Sequence, residues 1–162
     1  MFYLAATLLL PPLFVFGLYH LLTWGNVFNL NSRNYWQRVA WTSALSHVLL
    51  ATGFFIFSYF EYRASSQLGY AGPTFGAFLF NRAEFWRMML VFDTAPMLTI
   101  LGLFAVLNRL GLNPPQLVAW TIAIAYVVGT LQWYWVGGGI GAVLDRFWSG
   151  LKTGDEEDED WF

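Results

Sequence analysis

Long stretches with almost no charged position alternate along the chain with short segments where Lys, Arg, Asp and Glu gather. Residues 1–32 contain none of these four types, and their apolar part runs from Phe2 to Trp24; residues 39–60 are likewise uncharged. From Met88 to Leu107 the only charge is Asp93, and from Leu110 to Leu144 there is none. A helix of about 20 apolar residues crosses the roughly 30 Å hydrocarbon core of a bilayer. The pattern therefore predicts an all-α membrane protein with four transmembrane helices, over about 2–24, 39–60, 87–107 and 116–136, packed as an antiparallel bundle. Residues 1–152 form a single domain on this reading, without an internal repeat, and residues 153–162 an acidic disordered tail. No Lys or Arg precedes the first apolar run, so it lacks the basic start of a signal peptide and reads as a retained helix. Pro11-Pro12 removes two amide donors from it and predicts a kink there.

The connections differ in kind. Residues 61–87 include Phe75, Phe78, Leu79, Phe80, Phe85 and Trp86, behind Gly69, Gly72, Pro73 and Gly76. That order predicts a turn followed by a short interfacial or re-entrant segment between helices 2 and 3. Asn108 to Pro115 reads as a tight hairpin, in which Gly111 ends one helix and the following prolines start the next. Gly137-Gly138-Gly139-Ile140-Gly141 predicts either close packing or a break. Beyond it, Val143, Leu144, Phe147, Trp148 and Leu151 against Asp145, Arg146 and Lys152 predict a C-terminal amphipathic helix at the interface.

Composition sharpens this picture. Of 162 residues 57% are apolar and only 11% charged, far below the roughly 25% of a soluble domain. With eight Lys plus Arg the chain has no basic surface for phosphates, which excludes nucleic-acid partners. There is no cysteine, which removes disulfides, thiolate metal sites and a Cys nucleophile together. Six of the ten acids form one run, Asp155 to Asp160; the other four are Glu61, Glu84, Asp93 and Asp145. Four crossings put both termini and the 61–87 connection on one face, with Arg63, Arg82, Arg87, Arg146 and Lys152, against Arg33, Arg38 and Arg109 on the other. The Lys/Arg rule then makes the first face cytoplasmic, in a bacterial inner membrane. Aromatic residues are expected at the two interfaces: Trp24, Tyr35, Trp36 and Trp41 on one, Tyr59, Tyr62, Trp86, Trp133, Tyr134 and Trp135 on the other.

Polar groups inside the spans are the candidate functional residues. Asp93 lies about six residues into the third span, roughly 9 Å deep. Pro96 cannot donate to the Phe92 carbonyl, so the helix is expected to be interrupted there, with Asp93 capping its continuation and Gln132 as partner. His20 and His47 are the only strong nitrogen ligands. They could serve as axial imidazoles for a haem b held between spans one and two, with Arg33 or Arg38 on its propionates. Depth arithmetic along straight helices separates Asp93 from His47 by about 9 Å or more, so no shared metal site is expected. Ser43 and Ser46 share a helix with His47, and no placed acid makes a nucleophilic triad of them.

These features predict a small polytopic membrane protein serving as a non-catalytic accessory, assembly or interaction subunit. Two alternatives stay open: a carrier or sensor of a small apolar ligand (haem, quinone, lipid or pigment) in an aromatic-rich helical bundle, and an intramembrane enzyme using Asp93. The partners implied are the lipid bilayer, other membrane proteins of a complex, and a basic partner for the acidic tail.

Overall fold

The computed structural model describes the backbone over residues 2–69, 72, 74–111 and 114–157; side chains at 2–8, 10, 91, 114–117 and 151–157 are outside the description. Every regular element among the described residues is helical. In chain order they are α1 (Phe2–Trp24), a 3-10 segment (Val27–Ser32), α2 (Tyr35–Gln67), α3 (Phe75–Phe80), α4 (Ala83–Phe92), α5 (Thr94–Arg109) and α6 (Pro114–Glu157). Among them α2, with a mean hydropathy of 1.5, is long and apolar enough to cross a membrane. The pair α4 and α5 passes the same test only if its two arms, bent by 120°, are taken as one span.

The chain divides into two units: residues 1–46 with 133–162, and residues 47–132. Both α2 and α6 contribute to each. In the first unit, α1 runs helically through Pro11 and Pro12 and ends in a short, tightly bonded connection. Asn26, Phe28 and Asn29 adopt positive φ angles of 46°, 56° and 55°. For Phe28, which has no local hydrogen-bonding side chain, this is a disfavoured conformation. The turn is held by Asn31, whose backbone N–H donates to Asn26 Oδ1 and whose Nδ2 donates to the Thr23 carbonyl, and by the Arg38 guanidinium on the Arg33 and Asn31 carbonyls.

Helix α6 passes through the glycine run without a break, and Gly137, Gly138 and Gly141 are where α2 comes close. A Cβ on Gly137 would lie 2.2 Å from Ser43 Oγ, and one on Gly141 would lie 2.8 Å from the Trp36 Cα. Only a missing side chain permits that approach. The sequence pattern therefore fits close packing here, and the separate amphipathic helix is instead the continuation of α6. That helix extends to Glu157, past the expected start of the tail at 153; residues 158–162 lie outside the described residues. Tyr134 meets Trp41 edge to face at 5.6 Å, although the two were expected at opposite interfaces. The start of α2 thus lies beside the later part of α6.

The second unit holds a core of Leu79, Phe85, Met89, Ile100 and Ala125, surrounded by Phe54, Phe55, Phe80, Trp86 and Phe104. The short helix expected in the 61–87 connection is α3, whose N-cap Thr74 accepts a hydrogen bond from the Ala77 backbone N–H. It turns back under Trp86, whose indole N–H donates to the Phe80 carbonyl at 2.8 Å. Arg82 pairs with Glu61 at the end of α2 and lies 5.4 Å from the Phe78 ring centroid. After α5, Gly111 takes φ +68°, the left-handed end that the hairpin pattern predicts. Leu112 and Asn113 are outside the described residues.

Candidate functional site

The expected third span is two helices, with the chain turning at Asp93 (φ −128°, ψ 49°). Pro96 is the third residue of α5, so it has no N–H to close a turn onto Phe92, and the backbone groups on each side of the turn need other partners. Gln132 of α6 supplies both. Its Nε2 donates to the Phe92 carbonyl at 3.1 Å, and its Oε1 accepts from the Ala95 N–H at 2.9 Å. Thr94 Oγ1 donates to the Leu90 carbonyl at 2.9 Å, and the Met97 N–H reaches the Asp93 carbonyl at 2.9 Å.

The Asp93 side chain makes no capping bond to α5, contrary to the sequence expectation. It turns instead to His47. The carboxylate lies 3.1 Å from His47 Nε2 through Oδ1 and 3.2 Å through Oδ2, and both side chains are almost fully buried, at 4% and 5% exposure. The 9 Å separation fails because it assumed a straight third span. The chain bends by 120° at this residue, and rise per residue no longer measures depth across a break.

The other ring nitrogen, Nδ1, lies 3.2 Å from Thr130 Oγ1. Nε2–H donates to the carboxylate, and Nδ1 shares a hydrogen bond with the Thr130 hydroxyl. Gly129 forms the floor. A Cβ there would stand 2.5 Å from both Cε1 and Nε2 of His47 and 3.3 Å from Asp93 Oδ1. One further cross-link follows along the same helices: Thr52 Oγ1 donates to the Val48 carbonyl and accepts from the Tyr126 hydroxyl at 2.8 Å.

Three of the four candidate residues, His47, Asp93 and Gln132, therefore meet at one helix break. His20 belongs to the other unit, with its ring exposed and edge-on to Phe16 at 4.5 Å. An axial haem ligand needs an unengaged imidazole nitrogen, and both nitrogens of His47 already face partners. This arrangement does not fit a bis-imidazole haem. Thr130 and Gly129 were not singled out from the sequence. A threonine and a glycine in a charge-free apolar stretch carry no signal until the helix facing them is known. No group of three or more His, Cys, Asp or Glu able to hold a metal occurs among the described residues. An open groove of about 500 Å³ is lined by Ala142, Val143, Arg146 and Phe147, none of which belongs to the cluster.

Comparison with known protein families, with characterised proteins and with solved structures gives no match to this chain.

Proposed function

We propose that the protein is a bilayer-resident, non-catalytic accessory or interaction subunit, in which the His47–Asp93 pair and Gln132 hold a helix break together. The observation that carries this reading is the mutual saturation of the polar groups at the break: carboxylate with imidazole, imidazole with Thr130, carboxamide with Phe92 and Ala95. A buried polar network of this kind fixes one arrangement of helices. The bilayer reading is supported by α2 and by the large apolar side chains exposed along α1, α5 and α6, among them Leu13, Phe16, Leu98, Leu101, Trp120 and Val127. The charge-poor stretches of α1 and α6 are the further crossings on this reading, and α4 with α5 stands where the fourth was expected.

Purification in mild detergent tests the assignment. A membrane-protein partner in fixed ratio by mass spectrometry, with no visible absorbance band, is the expected result. A haem, quinone or pigment retained in stoichiometric amount would move the assignment to a carrier or sensor.

A second reading has one observation behind it. Thr130, His47 and Asp93 stand in the hydroxyl–imidazole–carboxylate order that activates a nucleophile. Labelling by a hydroxyl-reactive phosphonate that Thr130→Ser retains and Thr130→Val loses would make the protein an intramembrane hydrolase.

A further inference from the structure

We propose that α4 and α5 form a re-entrant hairpin that enters and leaves the bilayer at one face, so that between Tyr35 and Glu157 the chain crosses twice, in α2 and α6. The inference rests on the bilayer reading and replaces its third crossing.

Length decides first. At 1.5 Å per residue the 10 residues of α4 advance about 15 Å and the 16 of α5 about 24 Å. With 120° between their directions the ends of the two arms lie about 21 Å apart, and even α5 set along the membrane normal reaches only about 24 Å, short of the roughly 30 Å core. A single straight helix over the same residues would have crossed.

The direction of α6 decides second. Four crossings would make α2 and α6 parallel. In the second unit, His47 meets Thr130 and Thr52 meets Tyr126, so advancing along α2 means retreating along α6. In the first unit the contact of Gly141 with Trp36 and of Gly137 with Ser43 has the same sense. Antiparallel α2 and α6 require the intervening chain to return to the face it left. The broken backbone at Asp93 satisfies the condition for irregular chain at membrane depth, since its polar groups find protein partners.

Arg63, Arg82, Arg87 and Arg109 then share one face, and Arg33, Arg38, Arg146 and Lys152 the other, so the Lys/Arg rule no longer selects an orientation. The segment before α2 and the end of α6 emerge together.

The absence of cysteine from the sequence makes the test direct. Single cysteines at the exposed positions Asn31, Leu68, Leu110 and Ser149 are labelled in intact cells with a membrane-impermeant maleimide, before and after permeabilisation. The hairpin predicts that Leu68→Cys and Leu110→Cys behave alike, that Asn31→Cys and Ser149→Cys behave alike, and that one pair reacts near completion while the other stays near background until permeabilised. Asn31→Cys pairing with Leu110→Cys, and Leu68→Cys with Ser149→Cys, would overturn the hairpin in favour of four crossings while leaving the bilayer reading standing. The same response at all four positions, with all of them at background in intact cells and all reacting fully once permeabilised, would overturn the bilayer reading itself. Ser32→Cys, Gln67→Cys, Arg109→Cys and Gly150→Cys repeat the test one residue away, for any first variant that fails to accumulate.

Discussion

Replacing Gly129 by Ala adds one methyl group at the most crowded point of the polar cluster. The new Cβ would stand 2.5 Å from Cε1 and Nε2 of His47, where carbon atoms prefer about 3.5–4.0 Å. The imidazole would have to retreat by about 1 Å, and it is buried and held at both nitrogens. A retreat of that size stretches the 3.1 Å contact with Asp93 beyond hydrogen-bond range. Overpacking of a well-filled site costs about 1–3 kcal/mol, and a hydrogen bond to a charged group contributes about 1.5–3 kcal/mol. Because the two effects share one displacement they do not add fully, and a loss of about 3 kcal/mol is expected. For a chain of this size that corresponds to a fall in Tm on the order of 5–10 °C, read by thermal unfolding in detergent. Gly139→Ala is the matched control, since nothing lies within 4 Å of its added Cβ. It should be neutral, or stabilising by about 0.5–1 kcal/mol through helix propensity. Combining Gly129→Ala with His47→Ala should cost less than the sum of the two, because the clash disappears with the ring. Gly129→Ala as stable as Gly139→Ala, or strict additivity with His47→Ala, would refute the placement of His47 against α6.

Three further outcomes follow from the same geometry. Gln132→Leu strips the Phe92 carbonyl and the Ala95 N–H of their partner together and should destabilise by about 2–4 kcal/mol in the same thermal assay, with Gln132→Met no better despite its similar length. Asp93→Asn keeps an acceptor for His47 Nε2–H and should retain most of the stability and any partner binding, whereas Asp93→Leu takes the carboxylate away from Nε2–H and should cost about 2–3 kcal/mol; a loss of partner binding in a fully stable Asp93→Asn protein would show that the charge itself functions. Gly141→Ala drives a Cβ to 2.8 Å from the Trp36 backbone, which cannot rotate away, and should cost about 1–3 kcal/mol, while Gly138→Ala, with its nearest neighbour at 3.4 Å, should be tolerated; equal stabilities would contradict the close packing of these helices.

The helices were legible because charge-free runs of this length have few other uses, and the break at Asp93 was legible because Pro96 deletes a specific donor. Gly111 also announced itself through ordinary turn chemistry, whereas the Thr74 cap was not singled out. What the sequence did not disclose was direction. A bend leaves the same apolar pattern whether the chain continues or doubles back, and Trp41 and Tyr134, which meet edge to face, were assigned to opposite interfaces. The same omission separated His47 from Asp93. Once the chain turns at Asp93, the pairing that straight-helix depth forbade becomes the centre of the cluster. Gln132, by contrast, was found as a partner for this region, although it acts on the backbone and leaves the carboxylate to His47.

The carboxamide of Gln132 also sets an order of assembly. A chain emerging from the ribosome presents α4, the turn at Asp93 and α5 before the residue that satisfies their exposed carbonyl and amide has been made. Until another 39 residues beyond Asp93 have been added, those backbone groups lack the carboxamide that bonds them in the folded chain. On the proposed bilayer reading, the turn cannot settle into hydrocarbon at its own synthesis and must wait at a wet boundary for α6. On that same reading α6 acts as the key that admits a segment made before it, and a nascent chain released short of residue 132 is left with a turn that hydrocarbon excludes.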